Sequence, residues 1–211
     1  MTPAAASEKT MELCQLAPVI PVLVIENAAH ARPLAEALVA GGLPVLEVTL
    51  RTPAALDAIR EMAQVPGGIV GAGTLLTPAD VDAAGALFGV SPGATDRLLG
   101  ACESAALPIL PGAATATEAM RLLERGYRVQ KFFPAEAAGG AKLLKALAAP
   151  LPQVRFCPTG GISLANAPSY LSLPNTVCVG GSWVAPKELM ERGDWDAITA
   201  LAAQAAALGT A

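Results

Sequence analysis

Histidine is almost missing from this chain: His30 is the only one among 211 residues. Transition-metal sites usually gather several imidazoles or thiolates, so no metal and no other cofactor is expected. The four cysteines, at 14, 102, 157 and 178, form no CxxC pair and no regular framework. Cys157 and Cys178 lie inside apolar runs and read as small buried hydrophobes. His30 falls at the polar start of a helical pattern and reads as solvated. Aromatic residues make up only 4% against 53% hydrophobic residues, so the core must rest mainly on Ala, Val, Leu and Ile. A basic field is absent too. The net charge is −4 with Lys and Arg dispersed rather than striped, so no nucleic-acid partner is expected. The longest apolar stretch, Leu13–Ile25, is broken by Pro18 and Pro21 and falls short of the roughly 20 residues a membrane span requires. Glu8, Lys9 and Glu12 interrupt any signal-like opening. A soluble, cytoplasmic protein is the expectation.

What is present is an alternation. Strand patterns at Val19–Ile25, Val45–Leu50, Ile69–Thr74, Leu87–Ser91, Pro108–Pro111, Val129–Phe133, Val154–Pro158 and Val177–Gly180 alternate with helical patterns. The helical patterns cover Ala28–Ala40, Pro53–Ala63, Pro78–Ala84, Thr95–Ala105, Thr115–Arg125, Ala141–Ala148 and Trp195–Ala207, with a weaker segment near Leu164–Leu171. Thr52 before Pro53 and Thr77 before Pro78 read as N-caps with proline at the first helical position. Thr115 and Glu118 have capping-box spacing, and Gly41–Gly42 and Gly126 stand where helices end. Eight near-continuous apolar strands, each followed by a helix, imply a parallel sheet covered by helices. The count of eight and the lack of a GxGxxG turn after the first strand favour a compact α/β fold, the (β/α)8 TIM barrel, over an open doubly wound sheet. Residues 18–211 form one barrel domain; in residues 1–17, Met1–Ser7 reads as disordered and Glu8–Leu16 as a short helix closing the barrel bottom.

Barrel strands are apolar, so an ionisable residue inside one calls for a reason. Period-two alternation sets Glu47, Thr49 and Arg51 on one face of the second strand, with Leu46, Val48 and Leu50 facing the helices. Glu47 then points into the barrel and Arg51 stands at its C-terminal mouth. The same alternation groups Val129, Lys131 and Phe133 inward. A lysine there loses solvation, which favours the neutral amine that attacks a carbonyl. An amine nucleophile facing a carboxylate that moves protons is what Schiff-base chemistry requires. The plainer reading is a buried ion pair without chemistry.

Phe156–Pro186 contains no charged residue, and within it Thr159-Gly160-Gly161 and Gly181-Ser182 follow the last two strands. Loops in these positions often bind phosphate through backbone N–H groups and a helix N-terminus. Thr74 and Pro92 also fall at strand ends facing the mouth, where a turn or cap explains Thr74 equally well. Trp183 and Trp195 read as packing residues.

Together the strings Glu47-Val-Thr-Leu-Arg-Thr52, Gly71-Ala-Gly-Thr74, Val90-Ser-Pro-Gly93, Lys131-Phe-Phe-Pro-Ala-Glu136, Phe156-Cys-Pro-Thr-Gly-Gly-Ile162 and Cys178-Val-Gly-Gly-Ser-Trp183 resemble the 2-keto-3-deoxy-6-phosphogluconate aldolase family, which includes 4-hydroxy-2-oxoglutarate aldolases. The resemblance implies class I cleavage of a phosphorylated 2-oxo acid to pyruvate and glyceraldehyde 3-phosphate. It implies Lys131 as the Schiff-base lysine, Glu47 as general acid/base, and Arg51 and Thr74 at the pyruvate carboxylate. Pro92 and Phe133 would line the pocket, Thr159 would lie near the substrate hydroxyls, and Gly160, Gly161, Gly181 and Ser182 would hold the phosphate. It also implies a homotrimer. The Leu-Arg-Thr ending at 50–52 favours the gluconate-derived substrate over its galactonate relative. Other readings are 4-hydroxy-2-oxoglutarate cleavage as the main activity, a metal-dependent aldolase or epimerase, and a non-catalytic phosphosugar-binding barrel.

Overall fold

The computed structural model describes residues 1–209. Among the described residues, nine parallel strand segments make eight barrel staves: β1 (Val19–Leu23), β2 (Val45–Thr49), β3 (Ile69–Gly73), β4 (Phe88–Val90), β5 (Ile109–Leu110), β6 (Gly112–Ala113), β7 (Val129–Phe132), β8 (Arg155–Pro158) and β9 (Val179–Gly181). One sheet runs β5-β4-β3-β2-β1-β9 and the other β6-β7-β8. Parallel bridges Phe156↔Thr176 and Thr159↔Gly180 join the eighth stave to the seventh. The fifth stave passes from β5 to β6 through Pro111, which has no N–H to give to a ladder, though its carbonyl still accepts from Lys131 N–H at 2.8 Å. The expected single strand is therefore two short ones.

The helices are α1 (Pro3–Cys14), α2 (Ala31–Ala40), α3 (Ala55–Met62), α4 (Pro78–Ala84), α5 (Asp96–Ser104), α6 (Ala116–Arg125), α7 (Gly140–Ala148), α8 (Ala167–Leu171), α9 (Lys187–Arg192) and α10 (Trp195–Ala206). Capping boxes at Thr77/Asp80 and Thr115/Glu118 start α4 and α6, the second as its spacing predicts. Gly126 ends α6 at φ +110°. At the end of α2 the left-handed residue is Gly42 at φ +90°, not Gly41. Among the described residues, no helix is long and apolar enough to cross a membrane.

Several expectations need correction. Met1–Ser7 is ordered: Thr2 caps α1, accepting from Ala5 N–H, and Pro3 takes a first-turn position. Buried Ser7 accepts from the backbone N–H of Arg128 (2.7 Å) and Val129 (3.1 Å), so α1 is pinned to the start of β7. An alanine-rich sequence without apolar periodicity hides such tertiary anchors. Thr52 does not cap α3, which begins at Ala55; its hydroxyl donates to Ile25 O at 2.5 Å and ties the loop after β2 to the end of β1. The first helical pattern splits into a 3-10 turn, Ala28–His30, capped by Asn27, and α2. His30 is half-buried: its ring stands edge-on to Trp195 with centroids 5.9 Å apart, so it is packed on one side and keeps solvent on the other. Helix α9 has no counterpart among the expected elements.

Two cores follow from strand alternation. Leu46 and Val48 join the large shell between barrel and helices. Ile20, Val45, Phe88, Val90, Leu110, Val129, Cys157 and Cys178 fill the barrel interior together with Cys14 from α1, which stops its lower end. All four cysteines are buried free thiols. The scarce aromatics are concentrated inside, with Phe88, Phe132, Phe156, Tyr127 and Tyr170 all fully buried. Gly71 makes room for Phe88: a Cβ there would stand 2.3 Å from the ring.

Candidate active site

Above the apolar plug, two charged residues replace hydrocarbon. Glu47 is the middle residue of β2, opposite Val22 of β1 and Gly71 of β3. Lys131 is the third residue of β7, opposite Gly112 and Cys157. Both side chains point inward, and Lys131 Nζ donates to Glu47 Oε1 at 3.1 Å and to Oε2 at 3.4 Å. Their side chains are 5% and 4% exposed. An ammonium or carboxylate this deep is tolerable only with its partner beside it. The Phe133 ring faces the same nitrogen with its centroid at 5.5 Å.

The carboxylate has its place because β3 offers no side chain there. A Cβ on Gly73 would lie 2.3 Å from Glu47 Oε1. One residue further, Thr74 adopts φ +61°, a left-handed conformation that costs a β-branched residue about 1–3 kcal/mol. Its hydroxyl accepts from Arg51 Nε at 3.1 Å, so guanidinium and hydroxyl are presented together at the exposed mouth. Thr49, between Glu47 and Arg51, is buried and donates to Leu23 O at 2.9 Å, bracing β2 on β1.

A cavity of about 170 Å³ opens over the pair. Arg51, Lys131 and Phe133 contribute to one side of its lining. Thr159, Gly160, Gly161, Gly181 and Ser182 contribute to another. Gly160 and Gly161 have φ of +101° and +78°, which glycine adopts without strain. The helices after these loops start only at Ala167 and Lys187, so no helix opens directly from either glycine pair, contrary to expectation. Glu47 reaches the cavity through Lys131, and Thr74 through Arg51. Pro92 is not in the lining; it packs on Gly112, where a Cβ would meet its carbonyl at 2.3 Å.

Sequence reasoning missed Val22 and Val24, which line the cavity from the first stave. Ile20, Val22 and Val24 share one face by strict alternation, so the signal was there. It also missed Gly73 and Gly180, the latter leaving room for Thr159 Oγ1, which a Cβ would approach to 2.3 Å. Among the described residues, no three His, Cys, Asp or Glu side chains gather to hold a metal ion.

Fold and site together define a parallel (β/α)8 barrel with a buried amine–carboxylate pair under a small polar-rimmed cavity. Residues 10–201 match the family model described as KDPG and KHG aldolase, and the chain belongs to that family. It is 55% identical over 194 residues to the 2-dehydro-3-deoxy-phosphogluconate aldolase of Pseudoalteromonas atlantica, covering 90% of each chain. It is similar to the 2-keto-3-deoxy-6-phosphogluconate aldolase of Zymomonas mobilis solved with 3-phosphoglycerate, with TM-score 0.91, 51% identity, and 96% and 97% of the two chains covered. It is also similar to the KDPG aldolase of Legionella pneumophila with pyruvate captured as a covalent carbinolamine, with TM-score 0.89, 48% identity and 98% of each chain covered.

Proposed function

We propose that this chain is a class I aldolase that cleaves 2-keto-3-deoxy-6-phosphogluconate to pyruvate and glyceraldehyde 3-phosphate. The observation that carries the reading is the 3.1 Å contact between Lys131 and Glu47, both buried beneath a cavity of about 170 Å³. In this mechanism the proton shared by the pair moves to the carboxylate, and the free Lys131 amine attacks the C2 carbonyl carbon. Glu47 returns a proton to the departing hydroxyl, water leaves the carbinolamine, and a protonated imine remains. The carboxylate then takes the proton of the C4 hydroxyl. The C3–C4 bond breaks, its electron pair flows into the iminium as an enamine, and the phosphorylated aldehyde departs. Protonation of C3 by Glu47 and hydrolysis of the imine release pyruvate.

Arg51 and Thr74 fit the carboxylate of the 2-oxo acid, since a guanidinium and a hydroxyl are already joined at 3.1 Å. Phe133 walls the reacting carbons, and Pro92 supports the site through Gly112. Thr159 fits the sugar hydroxyls, and the Gly160–Gly161 and Gly181–Ser182 turns fit the phosphate. The family resemblance supports a homotrimer, and four free thiols fit a reducing, cytoplasmic setting. Borohydride added with pyruvate tests the reading. Loss of activity with one pyruvate-derived mass on the Lys131 peptide is the expected result; an adduct on another peptide refutes it.

A further inference from the structure

Glu136 closes the Lys131–Glu136 string yet has no part in the chemistry above. The uncharged stretch Phe156–Pro186 suggests that carboxylates stay away from the phosphate loops, but the fold brings one there. A Cβ on Gly161 would stand 2.7 Å from Glu136 Cγ. The backbone beside it continues the β7–β8 ladder: Ala135 N–H donates to Thr159 O at 2.8 Å and Glu136 N–H to Gly160 O at 3.1 Å.

The Glu136 carboxylate is itself held. The hydroxyl of Tyr170, from α8, donates to Glu136 Oε1. The Tyr170 side chain is fully buried, and burial together with Glu136 pushes its hydroxyl well above the ordinary phenol range, so it remains a donor. On the other side of the turn, Asn166 Nδ2 donates to Gly161 O at 3.0 Å and its Oδ1 accepts from Ser163 N–H at 2.8 Å. Two consecutive left-handed glycines carry no side chains to fix their own shape. Their neighbours must do it.

We propose that Glu136, clamped by Tyr170, is a positioning residue that holds the Gly160–Gly161 turn in the shape that receives the substrate phosphate. This rests on the phosphate reading of the preceding subsection. What matters is the acceptor oxygen offered to Tyr170, since a negative charge beside a phosphate brings no attraction of its own. A carboxamide at the position therefore serves as well as a carboxylate.

The test compares Tyr170→Phe, Glu136→Ala and Glu136→Gln on the phosphorylated substrate and on 4-hydroxy-2-oxoglutarate, with Ser182→Ala as reference. Tyr170→Phe and Glu136→Ala are expected to raise KM for the phosphorylated substrate roughly tenfold, the scale of one lost hydrogen bond. Their kcat, their KM for 4-hydroxy-2-oxoglutarate and their trapping by pyruvate and borohydride stay near the parent values. Glu136→Gln restores KM. Equal losses on both substrates, an unchanged KM in the first two variants, or a Glu136→Gln variant as poor as Glu136→Ala each overturn the proposal. If Ser182→Ala also fails to separate the two substrates, the phosphate reading falls instead. Amide exchange at Gly160 and Gly161 then decides the clamp by itself: faster exchange in Glu136→Ala supports it, and an unchanged rate ends it.

Discussion

Lys131 Nζ lies 3.1 Å from Glu47 Oε1 although the two residues are 84 positions apart in the chain. They come from the second and sixth staves and meet because both strands send this register inward. Neither could be deleted quietly. Removing one leaves a charge buried without compensation, which costs about 3–5 kcal/mol in typical proteins.

Replacing Glu47 by Gln keeps the shape and removes the proton carrier. Turnover is expected to fall roughly 100-fold or more, the contribution of a general acid/base. Some imine with pyruvate still forms and is caught by borohydride. Steady-state kcat beside trapped mass checks this, and an unchanged kcat removes Glu47 from the mechanism.

Gly73 is predicted to be as sensitive as a residue in contact with substrate. Alanine there puts a methyl group 2.3 Å from the present Glu47 Oε1, so the carboxylate must move. A displacement of about 1 Å commonly costs on the order of 100-fold in rate. Gly73→Ala should therefore lose kcat while its circular dichroism stays that of a folded barrel. A fully active Gly73→Ala enzyme contradicts the placement of the carboxylate.

Ser182→Ala separates phosphate from the rest of the substrate. KM for the phosphorylated acid is expected to rise roughly tenfold, whereas 4-hydroxy-2-oxoglutarate is cleaved nearly as before. Parallel losses on the two substrates count against a phosphate at this loop.

Acid stability should depend on Glu103. Arg125 holds its carboxyl below the ordinary value of 4.5, chiefly through a hydrogen bond at 2.8 Å, aided by Tyr127 against a burial penalty. A depressed folded value means stability that is complete above pH 4.5 and is lost as pH falls through the lower folded value. Glu103→Gln should melt below the parent at pH 7, by about 1 kcal/mol for a partly exposed pair, and the gap should close on acidification. Melting curves from pH 7 down to about 3 check the sign; a gap that widens toward acid reverses it.

The barrel and its reactive pair were legible in the chain because both follow from local period. Eight apolar runs separated by capped helices admit few packings, and in a strand every second residue shares a face. Lys131 and Glu47 therefore declared their direction before their partner was known. The same rule would have exposed Val22 and Val24. The capping box of α6 was legible for a similar reason: its donors and acceptors lie within three residues. By contrast, α1 over Pro3–Cys14 depends on Ser7 meeting Arg128 and Val129, and Thr52 serves Ile25 instead of a helix it precedes.

The sequence by itself determined which residues face inward, because side-chain direction along a strand is a two-residue property. Only the tertiary structure decided the distances: 3.1 Å between Lys131 and Glu47, the space Gly73 leaves for a carboxylate, and Glu136 beneath the Gly160–Gly161 turn. Those depend on how staves far apart in the chain are staggered around the barrel, and no local pattern encodes that stagger.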